Sequence, residues 1–159
     1  MTTSRVRRVS VPHDVPGVGE FAAPGYASAF ELTAPGAPSL TPEQWARAVF
    51  EGAPAPLRRL LVAGWSGVLG LGLGPRPSPG HVLGWLVSDS GAGSVTLDAR
   101  SRLMAARNVV VTDGTRVVWT TLVRFERRTG GVLWGAAAPV HHAMVPRLLT
   151  RAARSAARG

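Results

Sequence analysis

The chain is predicted to be an α+β domain in which an antiparallel β-sheet wraps around a long C-terminal α-helix. Three observations carry this expectation. From Val82 to Arg127, short apolar-polar segments follow one another, punctuated by Gly91-Ala92-Gly93 and Asp113-Gly114. From Val132 to about Ala156 the apolar residues recur at helical spacing. Between Thr41 and Leu71 two helical segments precede the meander. Runs of period two joined by a tight turn read as paired strands, and period 3.6 reads as helix.

Residues 1–24 are polar and interrupted by Pro12, Pro16 and Pro24, so an extended or flexible N-terminal arm is expected there. A single domain is expected over residues 25–157. Tyr26 to Leu32 has the content of a short strand, and Ala34 to Ser39, with Pro35, Gly36 and Pro38, reads as a loop. The first helix has clear punctuation. Thr41 can cap, Pro42 suits the first helical position, and Gln44 completes a capping box. Trp45, Val49 and Phe50, with Ala46, form its apolar stripe, and Gly52 ends it. A second helix starts near Pro54 or Pro56 and carries Leu57, Leu60, Leu61, Gly64, Val68 and Leu71 at helical spacing. Its glycines weaken it by about 1 kcal/mol each against alanine and leave room for the sheet or a ligand.

Val82 to Ser88 reads as one strand. Val95, Leu97, Ala99 and Leu103 alternate with Thr96, Asp98 and Arg102, the pattern of a half-buried strand. Asn108–Thr112 and Arg116–Arg127 form a hairpin around Asp113-Gly114. Its register decides which residues face inward, since a one-residue slip reverses every side chain. A two-residue loop pairing Thr112 with Thr115 sets Asn108 opposite Trp119. A three-residue loop pairing Val111 with Thr115 sets Arg107 opposite Trp119 and is preferred, because it puts Val109 and Val111 inside with Val117 and Val123. In the last helix, Pro139 and Pro146 each remove a backbone donor, so a kink or split is expected. Arg147, Arg151, Arg154 and Arg158 share one face, opposite Leu148, Leu149, Ala152 and Ala156.

Composition bounds the function. The 159 residues match one ordinary domain, and cysteine is absent, which removes disulfides and thiolate metal sites. Four histidines remain, without the spacing of a zinc site, so no metal or other cofactor is expected. The net charge is +9 and every one of the 18 basic residues is arginine, which points to a GC-rich genome of actinobacterial type. The arginines are scattered and no nucleic-acid motif is present, so nucleic acid is not the expected partner. Weak contact with an anionic membrane surface is the alternative that the charge suggests. No secretory signal is evident and the longest apolar run, Leu60 to Leu73, falls short of the ~20 residues of a membrane span, so a cytoplasmic protein is expected.

The order strand, helix, helix, meander, long helix resembles the helix-grip fold in its short form. Tyr26-Ala27-Ser28-Ala29-Phe30, Glu43 to Gly52, Val123-Arg124-Phe125 and Pro139-Val140-His141-His142 carry the resemblance over residues 25–157. START-type lipid-transfer domains, polyketide cyclases and plant pathogenesis-related allergens share that fold. The chain is similar in particular to an actinobacterial family of unknown-function domains placed near that superfamily. The resemblance implies a cavity and a ligand, but no assigned activity. Met104 and Ala105 stand where members often have an acidic residue and an aromatic, which weakens any polar site there.

The expected function is binding or transfer of a small apolar or amphipathic molecule between sheet and helix, without covalent chemistry. Trp85 and Trp119 are placed to stack on a flat ligand, with Val123 beside them and Met144 on the closing helix. Thr121 and either Arg107 or Asn108 would orient the ligand. His141 and His142 are the candidates for the alternative, a cyclase- or dehydratase-type enzyme with a cavity histidine. Adjacent helical positions point about 100° apart, so only one of the two can face the cavity. Packing against Trp134 is the plainer reading of either ring. Asp98 is expected in a solvated cross-strand ion pair.

Overall fold

A computed structural model describes residues 4–16, 18–21, 23–34, 40–114 and 116–158. Most of the expected loop 34–39 and the turn residue Thr115 lie outside the described residues. The strands are β1 (Arg5–Val9), β2 (Tyr26–Thr33), β3 (His81–Val82), β4 (Trp85–Ser90), β5 (Ser94–Arg100), β6 (Met104–Asp113) and β7 (Arg116–Phe125). They form one antiparallel sheet in the order β1-β2-β7-β6-β5-β4-β3. The helices are α1 (Pro42–Phe50), α2 (Ala55–Val62) and α3 (Arg128–Arg158), with a π-helical turn over Ala63–Val68 after α2. This is the predicted α+β arrangement, a meander sheet with a long C-terminal helix across one face.

Local chemistry fixes the elements around the site. The capping box of α1 is complete: Gln44 N–H donates to Thr41 Oγ1 at 3.1 Å and Thr41 N–H to Gln44 Oε1 at 2.9 Å. Trp45, Ala46, Val49 and Phe50 are buried, as the stripe predicts. On the other side of α1, Arg47 pairs with Glu43 and Glu51 and donates to the carbonyls of His81 and Pro79. Glu51 accepts from Leu83 N–H at 3.2 Å. The helix thereby pins the β3–β4 hairpin to its end.

That hairpin replaces the single strand expected over 82–88. Leu83 (φ 46°) and Gly84 (φ 93°) both take positive φ and turn the chain between two paired residues, Val82 and Trp85. The turn was hidden because an apolar run continues through it, and Leu83 is an unusual residue at positive φ. Likewise β5 stops at Arg100 and β6 begins at Met104, earlier than the sequence suggests. Ser101 makes the turn, its Oγ accepting from the N–H groups of Leu103 and Met104. Residues 5–9, expected in an extended arm, are extended but paired: Arg5–Val9 forms the sheet edge against Ala29–Thr33. Phe21 packs on the outer face of the sheet with Ala105, Leu122 and Ala27.

The hairpin register corrects the preferred expectation. Asp113 pairs with Arg116, so the loop has two residues and begins at Gly114. Val110 then faces Trp119 and Asn108 faces Thr121. Even-numbered residues of β6 point inward, so Arg107, Val109 and Val111 lie on the outer face. A glycine at positive φ in the first loop position suits a primed two-residue turn, whose twist matches the strands. Arg107 donates to both oxygens of Asp98, at 2.7 and 2.9 Å, and its guanidinium lies 4.7 Å from the Phe21 ring centroid. The Asp98 pair is thus partly buried rather than solvated.

Helix α3 continues through Pro139 and Pro146 without splitting. Leu148, Leu149, Ala152 and Ala153 are buried against the core, and Arg147, Arg154 and Arg158 are exposed on the other side. Arg151 is half-buried, with Nη1 out of contact with solvent. No helix of the described residues is long and apolar enough to cross a membrane.

Candidate functional site

Between the inner face of the sheet and α3 lies a partly open cavity of about 350 Å³. Its floor is Trp85 from β4, Ala106 and Asn108 from β6, and Trp119 and Thr121 from β7. Phe50 closes the end under α1. Leu60, Leu61, Gly64, Trp65 and Val68 form one wall, on α2 and the π turn. Trp134, Ala137, Val140, His141 and Met144 of α3 form the other. The size lies near the small end of the range of about 300–1,000 Å³ typical of ligand sites.

The lining is aromatic because of how the elements cross. Phe50 touches Trp65 and Trp119 edge-on, with ring centroids 4.9 and 5.0 Å apart, and Trp65 meets Trp85 at 5.5 Å and 87°. Four of the chain's five tryptophans line this one space. Trp119 is 1% exposed and Trp85 3%. Trp119 and Trp85 therefore hold fixed positions in the floor, and the empty volume lies between that floor and α3.

One polar cluster sits in the floor. Asn108 Oδ1 accepts the indole N–H of Trp119 at 3.0 Å and the Thr121 hydroxyl at 2.7 Å. An indole nitrogen can only donate, so the contacted atom has to be the amide oxygen. All three side chains are buried. Trp85 Nε1, Trp134 Nε1 and His141 Nε2 are buried without a hydrogen-bond partner.

The two histidines divide as helical geometry requires. His141 lines the cavity, its ring 5.3 Å from that of Trp134. Burial pushes its pKa down to about 4, with help from the charge of His142 and of Arg8, so it is neutral at pH 7. His142 turns to β2, where Nε2 shares a hydrogen bond with the Tyr26 hydroxyl and the rings stack at 5.8 Å. Burial also lowers the pKa of His142, aided by Arg8, and burial raises that of Tyr26.

Of the residues proposed from sequence, Trp85, Asn108, Trp119, Thr121, Met144 and His141 come together at the cavity. Val123 is buried on the same face of β7, beside but not on the cavity wall. Arg107 is on the opposite face and His142 on the Tyr26 side, so neither reaches the space. Sequence reasoning missed Trp65, Trp134 and the rim residues Leu60, Val68 and Val140. The three rim side chains are 56–60% exposed, and their largely apolar surroundings in sequence carried no signal that marked them.

Among the described residues, no three histidine, aspartate or glutamate side chains group as metal ligands. Compared with protein-family models, curated proteins and solved structures, the chain matches none.

Proposed function

We propose that this protein binds, and holds or transfers, a small apolar or amphipathic molecule in the cavity between sheet and α3. The observation that carries the reading is a cavity of about 350 Å³ left open between the sheet and α3 and lined by four tryptophans. Apolar surface of that extent is costly to leave facing water, at roughly 25 cal/mol per Å². An apolar guest removes that cost. The mechanism is non-covalent sequestration. Native mass spectrometry of the purified full-length chain tests it. A bound small molecule that is released on denaturation is expected. A protein that carries no adduct and takes none up from an apolar compound library would refute the reading.

A cyclase- or dehydratase-type role is less well supported. His141 is the titratable group of the cavity wall, and its lowered pKa leaves it a weak proton acceptor at neutral pH. A second role, docking at an anionic membrane surface, has a specific observation in its favour. The exposed rim residues Leu60, Val68 and Val140 lie on α2, the π turn and α3; α2 and α3 contain arginines, and none of the three segments contains aspartate or glutamate. Exposed apolar residues among cations are what an interfacial surface needs.

A further inference from the structure

We propose that the cavity selects an uncharged, flat ring compound that offers a hydrogen-bond acceptor to the amide N–H₂ of Asn108. The inference deepens the binding reading above and rests on it. The Asn108 oxygen is occupied twice, by Trp119 and Thr121. The Trp119 bond fixes the direction of the amide, because an indole nitrogen can only donate and must face the oxygen. The two amide hydrogens have no partner among the described residues. Asn108 is 4% exposed and lines the cavity, and its amide nitrogen is not among the fully buried unpartnered atoms, so its donors keep access to that space. A ligand acceptor placed there gains a hydrogen bond in a site shielded from bulk water.

The remaining features narrow the ligand class. Buried, unpartnered indole N–H groups at Trp85 and Trp134 add donor character to the lining, and no carboxylate lines it. No arginine lines it either, although the chain has 18. A carboxylate or phosphate ligand would enter without a counter-charge, at a steep desolvation cost. A cation would find no carboxylate to pair with, only aromatic rings. The indole faces of Trp65, Trp85, Trp119 and Trp134 favour a planar ring system over a flexible chain. An aromatic ketone or quinone has this combination of flat apolar body, no charge and a carbonyl acceptor. Asn108 is then the specificity-determining residue.

Three compounds of matched shape test the proposal by isothermal titration calorimetry on the full-length protein. They are 9-fluorenone, which has the carbonyl, fluorene, which lacks it, and 9-fluorenone-2-carboxylate, which adds a charge. Fluorenone is expected to bind about tenfold more tightly than fluorene, the worth of one hydrogen bond, and the carboxylate more weakly still. Asn108→Leu should erase the ketone preference. Thr121→Val, which leaves the indole to hold the amide, should keep it. If Asn108→Leu does not fold, the ratio of fluorenone to fluorene on the native protein still decides. Equal affinity for those two overturns the role of Asn108 and leaves the cavity reading standing. Equal affinity for the carboxylate overturns the requirement for an uncharged ligand. Silence from all three overturns this inference, while the cavity reading stands or falls separately with native mass spectrometry.

Discussion

The indole N–H of Trp119 donates to the side-chain oxygen of Asn108, 3.0 Å away on the neighbouring strand, and both residues are almost fully buried. The bond ties the largest ring of the cavity floor to its most buried amide. It exists because Asn108 pairs with Thr121 in the β6–β7 ladder, which puts Trp119 one diagonal step away on the same face. Asn108→Leu keeps the volume but strands two buried donors, the indole N–H and the Thr121 hydroxyl. A loss of about 2–6 kcal/mol in folding stability is expected, at about 1–3 kcal/mol per stranded group. Trp119→Phe strands no donor and leaves Thr121 on the amide oxygen, so its cost comes from lost volume alone. Urea unfolding of both variants checks the order. A smaller loss for Asn108→Leu than for Trp119→Phe would contradict it.

His141 makes folding sensitive to acid. Its folded pKa, pushed down to about 4, lies below the ordinary 6.5 of the unfolded chain. The unfolded state therefore takes up its proton first. The contribution of the buried neutral ring is fully present above pH 6.5 and is lost progressively as pH falls toward 4, at up to about 1.4 kcal/mol per unit. His142 shifts in the same direction, so the wild-type profile holds both effects. His141→Leu cannot titrate and should flatten the fall in stability between pH 6.5 and 4. Thermal melts at pH 7, 6, 5 and 4 measure it. Parallel profiles for the two proteins would remove His141 from the explanation.

How much was legible in the sequence depended on whether the signal was local. Thr41-Pro42 and Gln44 specify α1 by themselves, because a capping box is closed within four residues. Val95, Leu97 and Ala99 specify the inner face of β5 by alternation. The β6–β7 register was not legible, since Asp113-Gly114 is compatible with several loop lengths and only long-range pairing chooses among them. The preferred register put apolar Val109 and Val111 inside. The outer face holds them instead, with Val109 fully buried there, while Phe21 covers another part of that face over Ala105 and Leu122. Arg107 went outward with them and found Asp98. The cavity wall from Trp65 was illegible for a similar reason: Gly64 and Gly67 weaken a helix reading without revealing a π turn.

Helix α3 carries core residues that nothing else supplies. Leu148, Leu149, Ala152 and Ala153 are at most 2% exposed, and all follow Pro146. Losing a buried leucine costs about 2–5 kcal/mol, and a whole domain is stable by only about 5–15 kcal/mol. A chain truncated after Val145 is therefore expected to lose its cooperative melt and to expose the inner face of the sheet. Calorimetry on the truncated protein tests this. An unchanged transition would mean that the sheet and α1 fold without the closing helix.

The rim of the cavity gives the last prediction, which separates a cargo mouth from a mere exposed patch. Leu60 on α2, Val68 on the π turn and Val140 on α3 are each more than half exposed, yet each lines the cavity. Helix α2 buries no residue of its own, so the mouth is bordered by a lightly packed element. Replacing the three rim residues with serine removes apolar surface from water and should leave folding stability within about 0.5 kcal/mol, the usual range for surface changes. Arg147→Glu with Arg154→Glu reverses two exposed cations on α3 at similarly small cost. If the mouth meets a bilayer, the two sets act differently on co-sedimentation with phosphatidylserine vesicles. The serine set lowers binding at every salt concentration. The charge reversals lower it most at low salt, where screening is weak. Vesicle binding by the unaltered protein that neither set reduces would assign the contact to another surface. No binding at all would leave the rim as the entrance to a site filled from water.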